Sequence, residues 1–486
     1  MNTNQNYIKG NPNAGLTPIT SPWMHRIFED QKIISGLIEK HGSPINLHHL
    51  PTFSDNIASF KKLFEAYGLK HQIYYARKAN KSKSLVKQAL EVGIGVDTAS
   101  QKELEQSIAL GGNGKNLVLT SAIKTKEQYA LAVNEQVPIV LDNEDECVQA
   151  QSIAEELNKK AIVGIRISGF TVEGTKLYSR FGFDIAAVEA FILGNFGEKG
   201  RFKNLSIQGF HFHLDGYSTL QRGKALSDCI GLAKRLNESG LSIAFIDMGG
   251  GILMNYLESE EQWKAFDQAL QEGVNNNDNP LTFNGHGLGY EMINNELTGQ
   301  LKTYPYYNHI NGTTFLKEVL DYKDAETAES NAQRLKAMSL EIRIEPGRSL
   351  LNQTGMTIAR VAHRKQDARG QWLVGLEMNM SQMMSSSEDF LLDPYVMYAG
   401  KSESNAPVEV FFTGAYCLER DVLLKRKISL PQLPAIGDFV AFVNTAGYMM
   451  HFFETEAHLF DLSQNLSFSS EGKLGVSDFT ADDLIG

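Results

Sequence analysis

The chain has 486 residues, more than one ordinary hydrophobic core accommodates, so its length predicts two domains. A hydrophobic content of 42% is typical of a globular protein, and the net charge of −11 disfavours nucleic acid or an anionic membrane as a partner. Three widely spaced cysteines predict neither a disulfide framework nor a zinc site. The polar N-terminus and the lack of a long apolar run favour a cytoplasmic protein.

From about residue 70, short apolar runs alternate with amphipathic segments in which apolar residues recur every three or four positions. This alternation predicts parallel strands joined by right-handed helical crossovers. Eight such units favour a closed (β/α)8 barrel, with an open doubly wound sheet as the alternative. The eight runs cover residues 72–78, 93–98, 116–121, 138–142, 161–168, 206–213, 243–251 and 340–348.

The seventh crossover is longer than one helix requires. It contains two loop-like stretches, 275–280 and 285–291, followed by helical patterns at 313–321 and 329–338. We interpret residues 252–339 as an insertion that forms a lid or an oligomer contact.

After residue 348 the segments become short, alternating and separated by turn residues, which predicts an all-β domain. We therefore divide the chain into three parts. Residues 1–50 form an arm that packs with the β domain, 51–350 form the barrel with its insertion, and 351–486 form the C-terminal β domain.

Polar residues stand where the predicted barrel strands end. Because the carboxyl ends of barrel strands meet at one mouth, we expect these groups to converge there. In strand order they are Lys78, Asp97, Asp142, Arg166, His213, the run Gly249, Gly250 and Gly251, and the pair Glu345 and Arg348.

Lys78 follows an apolar strand, and a partly dry barrel mouth is expected to lower the pKa of its amine and so favour Schiff-base formation. The alternative is a lysine that ends a strand and reaches into solvent. The three glycines allow the backbone to approach a phosphate closely, although a tight turn alone would also require them.

Arg348 supplies a positive charge for the same phosphate, and Glu345 could hold a proton on a pyridine nitrogen. An ordinary turn is the alternative for this segment. The His213 ring could stack on a flat cofactor, and a buried core histidine is equally compatible with the pattern.

Seven motifs occur in one order along the chain: YYARKAN, GVDTAS, GFHFH, DMGGG, EPGRS, GAYC and AGY. In this order the sequence resembles the fold-type III decarboxylases that depend on pyridoxal 5'-phosphate (PLP), over roughly residues 50–460. That group contains diaminopimelate, ornithine, arginine and carboxynorspermidine decarboxylases. The resemblance implies PLP as cofactor, an amino acid as substrate, and a homodimer with shared active sites.

The resemblance also implies residue roles. Lys78 forms the Schiff base, Asp97 and Arg166 belong to the polar network near the cofactor, and His213 stacks on its ring. Glu345 is the partner of the pyridinium nitrogen. The phosphate is held by Gly249, Gly250, Gly251, Gly347, Arg348 and Tyr448. Cys417 reaches the substrate across the dimer interface and protonates it after carbon dioxide leaves.

Two departures from the family pattern concern the phosphate and the substrate. The chain reads GFHFHLDGYS, with Asp215 added, so the phosphate-binding serine is expected at Ser218. Leu418 stands where relatives place an acid that binds a distal amine. Either Glu419 or Asp421 replaces that acid, or the substrate has no distal amine there.

The sequence therefore predicts a PLP-dependent decarboxylase of unidentified substrate. The main alternative is an amino-acid racemase of the same fold. Those enzymes place an arginine against the pyridine nitrogen, where this chain has Glu345. A decarboxylase-like regulatory protein without activity is a further alternative.

Overall fold

The computed structural model describes residues 7–12, 14–197, 200–276, 280–385, 390–398 and 406–482. The N-terminal segment contains two strands and two helices. The first strand pairs with the C-terminal sheet at Tyr395–Met397, and the second pairs with the same sheet at Gly355–Ile358. The described part of the 1–50 arm thus extends the C-terminal sheet. Its elements are β1 (Tyr7–Lys9), α1 (Pro22–Glu29), α2 (Gln31–His41) and β2 (Ile45–His49).

The central part of the chain forms a barrel of eight parallel strands, and each strand overlaps one of the eight apolar runs. The predicted barrel is confirmed. The open sheet is excluded because the eighth barrel strand pairs with the first at Ile342 and His71, while the fourth also pairs with the fifth at Ile139 and Val163. Its strands are β3 (His71–Ala76), β4 (Gly95–Thr98), β5 (Leu117–Leu119), β6 (Ile139–Leu141) and β7 (Ala161–Ser168). The short β8 (Thr171–Val172), β9 (Thr175–Lys176) and β10 (Phe183–Asp184) follow, then β11 (Leu205–His211), β12 (Phe245–Asp247), the hairpin β13 (Tyr290–Ile293) and β14 (Glu296–Gly299), and β15 (Glu341–Ile344).

Helices surround this barrel, and several begin at a side chain that caps their free N–H groups. Thr125 and Gln128 cap one such helix reciprocally, and Ser218 accepts a hydrogen bond from Gln221 N at the start of another. The helices are α3 (Leu50–Tyr67), α4 (Lys83–Glu91), α5 (Gln101–Ala109), α6 (Lys126–Asn134), α7 (Glu144–Glu156), α8 (Ile185–Asn195), α9 (Thr219–Glu238), α10 (Glu260–Asn275), α11 (Gly312–Asp321) and α12 (Asn331–Ala337).

The long seventh crossover differs in extent from the sequence interpretation. Its last two helices, α11 and α12, pack against α9, and α11 also contacts α3, so both belong to the helical ring of the barrel. The insertion is therefore shorter than 252–339. The helix α10 within it was not predicted, and β13 begins inside the stretch expected to be a loop.

The insertion joins the barrel to the C-terminal sheet. Lys427 N donates a hydrogen bond of 2.8 Å to Leu281 O, and the ring of Phe283 meets that of Phe411 edge-on. A hydrophobic cluster contains residues of both units, among them Phe266, Tyr304, Phe412 and Phe442. Burial of this shared cluster is what fixes the insertion against the β domain.

The C-terminal part of the chain forms a mainly antiparallel sheet. With the two N-terminal strands it has ten strands, and their central path runs β1-β18-β21-β16-β17-β19-β20. Its own strands are β16 (Gly355–Gln366), β17 (Trp372–Leu376), β18 (Tyr395–Met397), β19 (Val408–Thr413), β20 (Val422–Leu430), β21 (Phe439–Val443), β22 (Gln464–Phe468) and β23 (Thr480–Asp482). Among all described helices, none is long and apolar enough to cross a membrane.

Candidate active site

Lys78 lies in a short 3-10 turn, Arg77–Ala79, that directly follows β3. Its Nζ is 2.6 Å from Oδ2 of Asp97 and 3.9 Å from Oε2 of Glu345. The lysine side chain is 38% exposed, whereas both carboxylates are buried. The amine is therefore partly exposed, whereas the two carboxylates beside it, Asp97 and Glu345, are buried.

Asp97 and Glu345 shift the pKa of Lys78 in the direction opposite to the one expected from the sequence. Burial acts to lower the pKa of Lys78, but Asp97 and Glu345 outweigh it and raise the pKa above its ordinary value. The expectation of a lowered pKa was wrong, because the sequence did not show that both carboxylates face one amine.

Asp97 is the penultimate residue of β4 and is itself held in place by Thr120, whose Oγ1 donates a hydrogen bond to Oδ1. Burial raises the pKa of Asp97, and the nearby Glu345 raises it further, while Lys78 and Thr120 act in the opposite direction. The charge of this aspartate thus depends on the positive amine beside it.

Arg166, in β7, connects three strand ends. Its Nη1 lies 3.2 Å from Oδ1 of Asp142, and its Nη2 donates to Thr120 O at 2.9 Å. Its Nε donates to Nδ1 of His211 at 3.2 Å. An arginine only donates hydrogen bonds, so Nδ1 of this histidine is the acceptor.

His211 is a residue whose role the sequence did not reveal. Burial lowers its pKa well below the ordinary value, and Arg166 lowers it further, so the ring is neutral. Because Nδ1 accepts from Arg166, the ring proton is on Nε2. That nitrogen lies 3.3 Å from Oε1 of Glu345. Neither atom has a well-aligned hydrogen-bond partner among the described residues.

Asp247 completes a buried group with these two residues. One oxygen or ring nitrogen from each of His211, Asp247 and Glu345 lies within 4.8 Å of the others. Burial and the charge of Glu345 raise the pKa of Asp247 well above its ordinary value. Asp247 also accepts a hydrogen bond of 2.9 Å from Gly249 N, which links the acidic group to the glycine run.

The run of three glycines follows β12, and its backbone conformation and close neighbours leave no room for side chains. Gly249 and Gly251 have φ values of 64° and 77°, a backbone region that favours glycine. A Cβ on Gly250 would lie 2.7 Å from the carbonyl oxygen of Glu345, and one on Gly251 would overlap Nη2 of Arg222. The run is thus fixed both by its backbone conformation and by close neighbours.

A cavity of about 340 Å³ lies beside this run. The structure brings His213, Gly251, Gly347, Arg348 and Tyr448 to its lining. The remaining lining residues are Leu214, Asp215, Gly216, Tyr217, Ile252 and Ser349. Four of the residues expected to bind the phosphate therefore share one cavity with His213, whereas Gly249 and Gly250 are not among its lining residues.

Tyr448 and Gly347 form one side of this cavity. Tyr448 has a φ of 71°, and its N–H donates a hydrogen bond of 2.8 Å to Ala79 O, next to Lys78. A Cβ on Gly347 would lie 2.8 Å from the Tyr448 hydroxyl. The tyrosine is thus anchored to the turn that carries the lysine.

The guanidinium of Arg348 lies among aromatic rings. It is 4.2 Å from the ring centre of Tyr304 and 5.3 Å from that of Tyr448. Burial acts to lower the pKa of Arg348, but the hydroxyls of Tyr256 and Tyr304 outweigh it, so the pKa is raised. Sequence reasoning missed Tyr304, and the aromatic run at 304–307 inside the insertion was the available signal.

His213 presents its ring to the cavity. Desolvation lowers its pKa to about 3, with Lys78 adding to the effect. The imidazole is therefore neutral at ordinary pH, which suits stacking on a flat aromatic ring. Ser218, by contrast, does not line the cavity. Its Oγ accepts a hydrogen bond of 3.2 Å from Gln221 N and caps α9.

Cys417 is exposed and lies in the loop between β19 and β20. It lines a second cavity, of about 500 Å³, together with Leu418, Glu419 and the insertion residue Phe283. Within the described part of a single chain, Cys417 and Glu419 do not line the cavity beside Lys78.

Asp421, one of the two residues expected to bind the substrate, accepts hydrogen bonds from two backbone N–H groups. Its Oδ1 accepts a hydrogen bond of 2.7 Å from Met380 N, and its Oδ2 accepts one of 2.7 Å from Tyr416 N. The carboxylate is buried and holds the Cys417 loop in place. Because the side chain is buried and both oxygens already accept backbone hydrogen bonds, we expect Asp421 to serve the loop rather than a substrate.

These residues fit a phosphorylated pyridine aldehyde. Arg348 and the glycine run offer positive charge and N–H groups to a phosphate. Lys78 offers an amine to an aldehyde, and the unpartnered Oε1 of Glu345 is available to a ring nitrogen. The fold and the site together define the class of barrel enzymes that bind PLP.

Comparisons with known proteins agree with this class. Residues 52–281 match the model of the pyridoxal-dependent decarboxylase family, pyridoxal binding domain. The chain is 29% identical over 426 residues to the uncharacterized protein y4yA of Sinorhizobium fredii, which covers 86% of both chains. It is 23% identical to the diaminopimelate decarboxylase of Bacillus subtilis over 85% of this chain and 83% of the relative.

The fold of the whole chain is also found in solved structures. The diaminopimelate decarboxylase of M. jannaschi covers 92% of each chain with a TM-score of 0.67 at 17% identity. A lysine/ornithine decarboxylase of Vibrio vulnificus covers 93% of this chain and 99% of its own, with a TM-score of 0.63 at 17% identity. The pyridoxal binding domain of this family thus matches residues 52–281, and the rest of the chain shares its fold with solved decarboxylases; these findings support PLP as the cofactor.

Proposed function

We propose that this chain decarboxylates an amino acid, with Lys78 as the residue that binds PLP covalently. The observation that carries the proposal is the position of the Lys78 amine beside Asp97 and Glu345, next to a cavity built for a phosphate. When bound, PLP supplies an electron sink for the bond that breaks at the substrate α-carbon.

Glu345 supports decarboxylation rather than racemisation. Its carboxylate is positioned to hold a proton at a pyridine nitrogen, which strengthens electron withdrawal. The Nε2 of His211 lies 3.3 Å from Oε1 of Glu345 without a well-aligned hydrogen bond, and Arg166 holds the histidine from its other side. We infer that Arg166 and His211 together help to orient the acid.

The other residues hold the cofactor and exclude water. Arg348, the glycine run and Tyr448 would hold the phosphate, and the neutral ring of His213 would stack on the pyridine. Asp97, which is held by Thr120, orients the Lys78 amine and balances its positive charge when the amine is protonated. None of these roles requires a metal ion.

Cys417 supports a shared active site. The separation of the Cys417 loop from the cavity beside Lys78 in one chain is explained if two chains pair and each completes the other. In such a homodimer, Cys417 of the partner gives a proton to the substrate α-carbon after carbon dioxide leaves.

The Cys417 loop also bears on the substrate. Leu418 is 44% exposed at the position where relatives carry an acid, and Asp421 is engaged by the backbone. Glu419 is then the remaining acid of the proposed pair. A buried distal amine without a counter-charge is costly, so we propose a substrate other than ornithine or meso-diaminopimelate.

A screen of amino acids tests the function. The PLP-loaded protein is incubated with single amino acids, and both released carbon dioxide and product amine are measured by liquid chromatography. We expect equal amounts of both from at least one amino acid, and neither from Lys78→Ala. Inversion at the α-carbon without carbon dioxide would instead establish a racemase.

A further inference from the structure

A second arginine lies beside the cofactor cavity without a role in the functions above. Arg222 is in the first turns of α9 and is only 1% exposed. Its Nη2 donates a hydrogen bond of 2.9 Å to Leu214 O. Its Nε and Nη1 are buried and have no hydrogen-bond partner among the described residues.

The guanidinium of Arg222 packs directly against the glycine run. A Cβ on Gly251 would overlap its Nη2 and would lie 3.1 Å from its Cζ. The two residues that Arg222 contacts here, Gly251 and Leu214, both line the cavity. Arg222 therefore lies behind Gly251 and Leu214, which separate it from the cavity where a phosphate would bind.

No described carboxylate forms an ion pair with Arg222. Burial lowers its pKa to about 10, and the charges of Tyr217 and Asp215 act in the opposite direction. Asp215 is exposed and accepts a hydrogen bond from Gly216 N. A buried cation without a counter-ion is unfavourable, and proteins pair or neutralise such groups.

We infer that Arg222 is a second cationic residue for the phosphate of the cofactor, acting beside Arg348 through the Gly251 turn. The phosphate provides the anion that Arg222 lacks within the chain. Arg222 also replaces the family's phosphate-binding serine, since the added Asp215 leaves Ser218 as the cap of α9. This inference rests on PLP as cofactor and not on the proposed reaction or substrate.

A purely structural role makes a different prediction. If Arg222 only holds Leu214 O and fills space behind Gly251, its loss would weaken binding of any ligand in the cavity. If it serves the phosphate, its loss would weaken PLP and leave pyridoxal, which lacks the phosphate, unchanged. The affinity ratio of these two ligands therefore separates the two roles.

The experiment compares Arg222→Met with the wild-type apoprotein by absorbance titration with PLP and with pyridoxal. We expect Arg222→Met to weaken PLP binding by about ten-fold or more, because a buried cation close to a phosphate attracts it strongly at low dielectric. Pyridoxal binding should stay within about two-fold of wild type. The matched control is Arg235→Met, on the same helix, where the arginine pairs with Glu189 at the surface. Equal loss for both ligands, or unchanged PLP affinity, would overturn the inference.

A second variant keeps the test decisive if Arg222→Met does not fold. Arg222→Lys preserves a charge that an increase in pH can remove, because burial lowers the pKa of a lysine. For this variant, the ratio of PLP to pyridoxal affinity should fall between about pH 8 and pH 10, while the wild-type ratio stays level. A ratio that follows the wild-type curve throughout would contradict a role at the phosphate.

Discussion

Lys78 and Asp97 form a close ion pair across two neighbouring barrel strands, with 2.6 Å between Nζ and Oδ2. Asp97 is paired in register with Ala76, two residues before the lysine. The ion pair keeps the amine protonated, since Asp97 and Glu345 outweigh the effect of burial on the pKa of Lys78. In its proposed role the lysine loses this proton before it attacks the aldehyde of PLP, so we expect the two carboxylates to set the pH at which the cofactor is taken up.

Replacement of Asp97 by Asn should make cofactor uptake faster at moderately alkaline pH. The neutral amine is the nucleophile, and loss of the carboxylate lowers the pKa of Lys78, so a larger neutral fraction is present at a given pH. Stopped-flow absorbance of apoprotein mixed with PLP should show a rate that levels off at lower pH than in wild type. Asp55→Asn, at an exposed position of α3, is the control. An unchanged pH profile for Asp97→Asn would contradict this account.

Lys78 should be the lysine that borohydride links to PLP. The reduced wild-type protein is expected to carry the adduct on the peptide that contains Lys78, and Lys78→Ala should carry none, as mass spectrometry can establish. Lys81→Ala, which changes an exposed lysine three residues away, should retain the adduct. An adduct on any lysine other than Lys78 would exclude the assignment.

Two inactive variants should complement each other if active sites are shared. Random exchange of Lys78→Ala and Cys417→Ala subunits leaves about half of the protein as heterodimers, each with one intact site of two. We therefore expect recovery of up to about a quarter of wild-type activity. Native mass spectrometry verifies that subunits have exchanged. Exchange without any recovery would show that each site lies within one chain.

Asp421→Asn should destabilise the protein, whereas Glu419→Gln should not. Asp421 is buried and accepts hydrogen bonds from Met380 N and Tyr416 N, and an amide can satisfy only one of these two donors with its oxygen. We expect a loss of about 1–3 kcal/mol in the free energy of unfolding for Asp421→Asn. Glu419 is exposed, so its change should leave the free energy of unfolding unaltered. Chemical denaturation of both variants provides the measurement.

Ornithine and meso-diaminopimelate should be poor substrates. Leu418 offers no counter-charge for a distal amine, and Asp421 is engaged by the backbone. Steady-state kinetics on both compounds, with a better substrate from the amino-acid screen as reference, provide the measurement. A kcat/KM of about 10⁴ M⁻¹s⁻¹ or more for either compound would show that Glu419 replaces the missing acid.

The sequence alone determined the barrel and the positions of most candidate site residues. Strand and helix periodicity are local properties, so the eight apolar runs predicted eight strands. In a parallel barrel the carboxyl ends of the strands face one way, which is why Lys78, Asp97, Glu345 and Arg348 could be assigned to one mouth before any coordinates were known.

The tertiary structure decided the contacts between residues that are distant along the chain. It raised rather than lowered the pKa of Lys78, placed Tyr304 of the insertion against Arg348, and joined His211 to Glu345. It also placed Arg222 behind the glycine run. A pKa and an unpartnered atom depend on the full set of neighbours around a group, and sequence periodicity specifies the direction of a side chain but not those neighbours.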